Sequence, residues 1–271
     1  MVKFLRWAAL IIAAVLFVLP FYLLLRNGLS TRTEITAPNW TFFPSELHWE
    51  NLTQLFDSTE VPFARSLLNS TVVATLQTLG QLLLCSLAGY GLARIPYRHS
   101  NKVLYAVIAT LMIPTSVTFV PSFVVVSSLG WISDLRGLII PGLFSAFTVF
   151  LFRQYFLDFP LELEEAGRMD GLSRWGVFWR IVVPNSPGFF AALAVINFIG
   201  AWNAFLWPLI IAQDPSSWTV QVALSGLLTS QNPKTNLLFL AAAVSILPIV
   251  ILFVALQRYL VKGVTHTGLN G

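Results

Sequence analysis

The chain has 271 residues, of which 56% are apolar, 14% aromatic and only 10% charged, and its mean hydropathy is +0.75. A soluble globular domain, in which about a quarter of residues are charged, is excluded by that balance. The net charge of +4 is accounted for by lysines and arginines gathered in loops on one side of a membrane, so it gives no support to a nucleic-acid partner.

Six apolar runs, about 5–25, 67–93, 103–126, 137–156, 188–211 and 237–256, each supply the roughly 20 residues a helix needs to cross a hydrocarbon core about 30 Å thick. Charge is confined to their ends, as at Arg153. Barrel strands would instead give alternating segments of about 10 residues. The expected fold is therefore all-α, a polytopic membrane protein with six transmembrane helices in a single domain, residues 1–271. The first run follows Lys3 and Arg6, but its length and the lack of a small-residue cleavage site mark a retained span.

Between the first and second runs, about Arg26 to Ser66, Pro38, Pro44 and Pro62 are interspersed with Trp40, Phe42, Phe43, Trp49 and Phe56. This reads as a mixed segment lying against the membrane surface, either a plain connection or a docking surface for an external partner. Its two glycosylation triplets, starting at Asn39 and Asn51, are too short to carry weight. The second run holds Cys85, the sole cysteine, so no internal disulfide can form.

The third run contains "MIPTSVTFVPSF", Met112 to Phe123, with Thr115, Ser116 and Thr118 between Pro114 and Pro121. Proline removes a backbone donor and kinks a helix, and in lipid the freed carbonyls need protein or water. Pro114 and Ser116 are accordingly placed on a substrate pathway or, equally, in a packed structural kink. In the fifth run, "AVINFIGAWNAFLWPLII", the spacing puts Gly200, Asn203 and Trp207 on one helical face, with Asn197 and Trp202 beside it. Asparagine can bind a hydroxylated ligand and indole can stack on a sugar ring, so Asn197, Trp202 and Asn203 are candidate pathway residues. The asparagines can equally hydrogen-bond a neighbouring helix, and Trp207, before Pro208, can be an interface anchor. His48, His99 and His266 lie in separate connections without metal-ligand spacing.

Cytoplasmic loops carry the excess of Lys and Arg. With the N-terminus inside, eleven fall inside (Lys3, Arg6, Arg94, Arg98, Lys102, Arg153, Arg168, Arg174, Arg180, Arg258, Lys262) and five outside (Arg26, Arg32, Arg65, Arg136, Lys234). Both termini are expected in the cytoplasm, as is the loop between spans 4 and 5, residues 158–184. In that loop Leu163 to Pro184 carries six charges in 22 residues. Pro160 and Glu162, Glu164 and Glu165 suit a helix start, and Gly171 a stop. Ser173 suits the cap of a second helix that Pro184 ends. Ala166 and Gly167 form a small-residue patch that lets the backbone approach another protein, with Glu165, Arg168 and Asp170 at its rim, as in a helix-in-groove contact.

This loop resembles the signature of binding-protein-dependent ABC importer permeases: E-A-A, three residues, G, nine residues, then I-x-L-P. Here Glu165-Ala166-Gly167 is followed at the same spacings by Gly171 and by Ile181-Val182-Val183-Pro184, with Gly167 and Val183 as departures. "LARIPYRHSNK", "MIPTSVTFVPSF", "FIGAWNAFLWPL" and the ending "LQRYLVKGVTHTGLNG" are similar to the carbohydrate, maltose-permease-like branch. The resemblance implies that Glu164, Glu165, Ala166, Gly167, Arg168, Asp170 and Gly171 form a coupling helix seated in a cytoplasmic ATPase. It also implies a second homologous permease, two ATPase subunits and an external substrate-binding protein, in a bacterial or archaeal inner membrane. No G-x-x-x-x-G-K-[ST] loop occurs in the chain; it is expected to bind no cofactor, with ATP and magnesium on the partner ATPases, and to be a transport subunit rather than an enzyme. The expected cargo is a carbohydrate, or alternatively a glycerophosphodiester or other sugar derivative. An ion-coupled secondary transporter would carry ionisable residues inside its spans, and none lies mid-run. A membrane enzyme would need catalytic pairs or a metal cluster, for which the acidic group Glu162, Glu164, Glu165 and Asp170 comes nearest.

Overall fold

A computed structural model describes residues 2–229 and 234–267; part of the outer connection 213–236 and the last four residues of the tail motif lie outside them. The described residues are helical, without strands. Four segments are long and apolar enough to cross a membrane: 3–28, 63–94, 135–158 and 235–260. Two bent pairs bring the number to six if each is one span: 100–111 with 115–128, bent by 95°, and 174–182 with 187–202, bent by 85°.

The chain divides into two compact units, one up to Asn69 with Asp214–Pro248, the other Ser70–Gln213 with the residues from Ile249 on. The first contains α1 (Val2–Gly28), α2 (Arg32–Thr36), α3 (Glu50–Phe56), the start of α4 (Phe63–Arg94), α13 (Val220–Thr229) and the first part of α14 (Thr235–Thr267). Asn51 is its tie. Its buried Nδ2 donates to the carbonyls of Gly28 and Ser30 at 2.9 and 3.1 Å, and its Oδ1 accepts from Asn236 Nδ2 at 3.1 Å. Gly28 carries no side chain for a packing reason, since a Cβ there would lie 2.9 Å from the Leu240 Cα, and helices in lipid approach closely only over small residues. The aromatic-rich connection folds over Arg26, which is buried, donates to the Thr41 carbonyl at 3.0 Å and lies 5.4 Å over the Trp40 ring. Glu34 Oε1 accepts the Ser45 N–H at 2.6 Å, which holds that carboxyl below its ordinary range.

The second unit contains the rest of α4, α5 (Ser100–Leu111), α6 (Thr115–Ser128), α7 (Leu135–Ile139), α8 (Ala146–Asp158), α9 (Leu161–Met169), α10 (Arg174–Val177), α11 (Pro187–Trp202) and α12 (Leu206–Ile211). Its core is aromatic: Tyr90, Phe152, Phe156, Phe159 and Phe178 pack with Val149, Val177, Val182 and Leu193. Gly89 lets α4 and α8 touch, since a Cβ there would fall 2.6 Å from the Phe152 Cβ and 2.9 Å from the Arg153 nitrogen.

Three expected continuous runs are broken, each beside a proline. Pro114 is extended (φ −57°, ψ 135°) and α6 starts after it, because proline disfavours helical backbone in the residue before it. The expected kink in 103–126 is therefore a near right angle. In the run 137–156, α7 tightens into a single 3₁₀ turn at Ile140–Gly142, and α8 restarts at Ala146, where Ser145 Oγ accepts the Thr148 N–H at 3.2 Å. In the run 188–211, α11 stops at Trp202 and α12 begins at Leu206. Pro208 lacks the N–H that would bond the Ala204 carbonyl. Asn203 and Trp207 thus belong to different segments, and the shared face expected for Gly200, Asn203 and Trp207 does not exist.

Candidate functional site

Two places in the second unit concentrate polar chemistry against an apolar background. The first is the elbow formed by α9 and α10. As the local sequence indicates, α9 starts after Pro160 and ends where Gly171 turns back at φ +86°. Nothing lies within 4 Å of a Cβ built at Gly171, so glycine is needed there for its backbone and not for space. Ser173 Oγ accepts the Gly176 N–H at 3.2 Å to start α10. One wider turn, Phe178–Val182, closed by the Val183 N–H to the Phe178 carbonyl at 2.9 Å, carries the chain on to Pro184.

The faces of α9 divide sharply. Glu164 and Gly167 are buried, whereas Glu165, Ala166, Arg168, Met169 and Asp170 are exposed, Met169 to 88%. Gly167 faces its own fold, where a Cβ would meet the Ile181 Cδ1 at 2.1 Å. Of the expected small-residue patch, Ala166 alone points outward. Glu164, 5% exposed, accepts the Tyr90 hydroxyl at Oε2 over 2.8 Å. Its Oε1 lies 2.9 Å from Arg94 Nε, an ion pair in which the N–H is angled away from the carboxylate oxygen. Arg94 Nη2 also donates to the Phe159 carbonyl. The Tyr90 ring is itself held edge-on to Phe156 at 5.6 Å and against Phe178 at 5.0 Å. The end of α4 thereby grips the start of α9. A cleft of about 500 Å³ opens beside the elbow, lined by Gly171, Ser173, Trp175, Trp179 and Arg180 among others.

The second place is a cavity of about 290 Å³ lined by Gln77 of α4, Thr115, Thr118, Phe119 and Ser122 of α6, the turn Pro141–Gly142, Leu138 and Trp207. The breaks in the helices have left carbonyls here that the backbone cannot satisfy, and side chains take them. Pro141 lacks the N–H that would bond the Gly137 carbonyl, and Trp207 Nε1 donates to it at 3.1 Å. Gln77 Nε2 donates to the Leu138 carbonyl at 2.7 Å and Gln81 Nε2 to the Gly142 carbonyl at 2.6 Å. Gly142 must be bare for this, because a Cβ would sit 2.3 Å from Gln77 Nε2.

The pathway residues expected from sequence do not gather at this cavity. Pro114 and Ser116 are exposed and lie outside its lining, one position off the face that Thr115, Thr118, Phe119 and Ser122 share. Asn197 Oδ1 accepts the Thr148 hydroxyl at 3.3 Å. Trp202 is 1% exposed and stacked on Phe198 at 5.6 Å, and Asn203 is exposed at the end of α11. The residues that the sequence reading did not single out are Tyr90 and Gln77, and Arg94 was counted only as a cytoplasmic charge. A signal existed: Gln77 and Gln81 are polar, mid-run and four residues apart, hence on one face of α4.

Residues 85–266 match the family model described as binding-protein-dependent transport system inner membrane component. The chain is 32% identical over 260 residues to the arabinooligosaccharides transport system permease protein AraQ of Bacillus subtilis (strain 168), covering 95% of this chain and 92% of that one. It is 31% identical to the sn-glycerol-3-phosphate transport system permease protein UgpE of Yersinia enterocolitica, covering 95% and 94%. It is also 31% identical to the lactose transport system permease protein LacG of Rhizobium radiobacter, covering 95% and 93%. A chain from the crystal structure of a bacterial ABC transporter involved in the import of the acidic polysaccharide alginate superposes with a TM-score of 0.80 at 20% identity, covering 95% of each chain.

Proposed function

The chain belongs to the family of binding-protein-dependent transport system inner membrane components, and from that premise we propose that it is one of two permease subunits of an ATP-driven importer for a carbohydrate. In this reading α5 with α6 completes one span and α11 with α12, the run 188–211, another, giving six, with both termini and the α9–α10 elbow in the cytoplasm, where arginines and lysines are in excess. The outward face of α9 seats in a cleft of an ATPase subunit. ATP and magnesium are held by the two ATPases, and an external binding protein delivers cargo from the other side of a bacterial or archaeal inner membrane. A second, related permease completes the pathway.

The observation that carries this reading is the two-faced α9. Buried Glu164 and Gly167 fix the helix to its own domain, while Glu165, Ala166, Arg168, Met169 and Asp170 stand exposed among the described residues. A methionine 88% exposed at the tip of a charged helix suits a contact surface better than a solvated loop. When two ATPases close on ATP, a helix held this way shifts α4 and α8 with it, because Tyr90 and Arg94 tie α9 to α4. Such motion exchanges inward-open and outward-open states through differential affinity for the two conformations.

The test is uptake into proteoliposomes holding the complete importer with its binding protein. Uptake is expected to require ATP, and to stop when the ATPases are replaced by hydrolysis-deficient variants. Uptake that survives ATP removal and follows a proton or sodium gradient would establish a secondary transporter instead.

A further inference from the structure

Resting on the reading of the chain as a carbohydrate permease, we infer that the cavity between α4, α6, the Ile140–Gly142 turn and α12 is a sugar subsite belonging to this chain, which accepts an uncharged ring and rejects a phosphorylated one.

The backbone points to a site that water and solute reach. Gln77 lies near the middle of the 32-residue α4, about 20 Å from its start at 1.5 Å per residue. Non-helical backbone at membrane depth is tolerated only where protein satisfies it or it lines a watered cavity. Here both hold, because Trp207 and Gln77 take the carbonyls of Gly137 and Leu138 and themselves line the cavity.

Its chemistry matches a sugar. Thr115, Thr118 and Ser122 present hydroxyls along one face of α6, at i, i+3 and i+7. The Thr118 hydroxyl donates to the Thr115 carbonyl at 3.1 Å, which leaves its oxygen to accept from a ligand hydroxyl. Phe119 and Trp207 meet edge to face at 5.7 Å and offer apolar surface to the C–H face of a ring. A cavity of about 290 Å³ is at the lower end of ligand clefts, roughly 300–1,000 Å³, and fits a single ring or the end of a short chain.

The lining also selects against an anion. It contains no Lys, Arg or His. A phosphate monoester carries about −1.5 to −2 charges at neutral pH, and moving it from water into a site without a counter-charge is costly. A neutral sugar merely exchanges its hydrogen bonds to water for bonds to these hydroxyls. The chain is equally similar to relatives named for lactose and for sn-glycerol-3-phosphate, so identity does not choose between the two cargoes and the uncharged lining favours the neutral one.

The test uses the complete importer in proteoliposomes with its binding protein, and arabinotriose, lactose and sn-glycerol-3-phosphate as probes. At least one of the two neutral sugars is expected to enter, and sn-glycerol-3-phosphate is not. The double variant Thr118→Val/Ser122→Ala is expected to lower the sugar moved per ATP hydrolysed about tenfold, the consequence of two lost hydrogen bonds. Ser128→Ala, on the same helix but outside the cavity, serves as the control and should match the wild type. Entry of sn-glycerol-3-phosphate, an unimpaired double variant, or an equal loss in Ser128→Ala would each overturn the subsite. An ATPase that the loaded binding protein fails to stimulate would instead remove the permease reading on which it rests.

Discussion

Arg94→Ala is expected to destabilise the assembled importer by about 3–5 kcal/mol and to lower ATP-driven uptake roughly a hundredfold or more. Arg94 and Glu164 are both largely withdrawn from solvent, with side chains 14% and 7% exposed. Removing the arginine strands the Glu164 carboxylate without its counter-charge, held by the Tyr90 hydroxyl. It also frees the Phe159 carbonyl, immediately before the proline that opens α9. The helix start is then tied to α4 through the Tyr90 hydroxyl and no longer through a charge, so that more of a force delivered to α9 is dissipated in the elbow. The double variant Arg94→Met/Glu164→Leu removes both charges together and is expected to recover most of the lost stability, since a packed apolar pair replaces an ion pair at little cost. Thermal unfolding of the purified complex, read beside uptake, checks both variants. A wild-type melting temperature for Arg94→Ala would show that the pair does not hold the elbow.

Glu165→Lys is expected to behave in the opposite way, leaving the melting temperature almost unchanged while reducing ATP-driven uptake about tenfold or more. Glu165 is exposed on α9, and surface substitutions away from special features stay within about 0.5 kcal/mol. Reversing a charge that a partner desolvates costs far more, on the order of 2–5 kcal/mol at an interface. Of two neighbouring glutamates, Glu164 is buried against its own fold and Glu165 is exposed, so the coupling proposal predicts opposite outcomes for the two. Membrane abundance, melting temperature and uptake measured on the same preparations distinguish them. Full uptake by Glu165→Lys would remove the outward face of α9 from the coupling role.

Much of the architecture was legible because lipid imposes a simple length rule on apolar runs. The apolar runs, the elbow with its Gly171 stop and Ser173 cap, and the family signature at Glu165–Pro184 can all be read from residue type and spacing. Helix continuity was not. Pro114 reads as a kink in sequence, but whether a proline bends a helix or ends it depends on which side chains can take the freed carbonyls. Around Pro141, Trp207, Gln77 and Gln81 come from distant parts of the chain to do so. That same distance hid the cavity. The reading of the fifth run assumed an unbroken helix through Trp207 and saw in that indole an interface anchor, whereas it lines the cavity and Trp202 is buried against Phe198. The inward turn of Glu164 and Gly167 was hidden for a related reason, since the periodicity of a nine-residue helix cannot say which face meets its own domain when both faces carry glutamate.

The most direct measurement is site-specific photo-cross-linking from position 169, where the exposed Met169 is replaced by a photoreactive residue, in the purified complex with and without ATP. A covalent adduct between this chain and the ATPase subunit is the expected result. If position 169 captures no second polypeptide in either nucleotide state, while the complex remains intact and active, α9 does not dock and the coupling account is wrong.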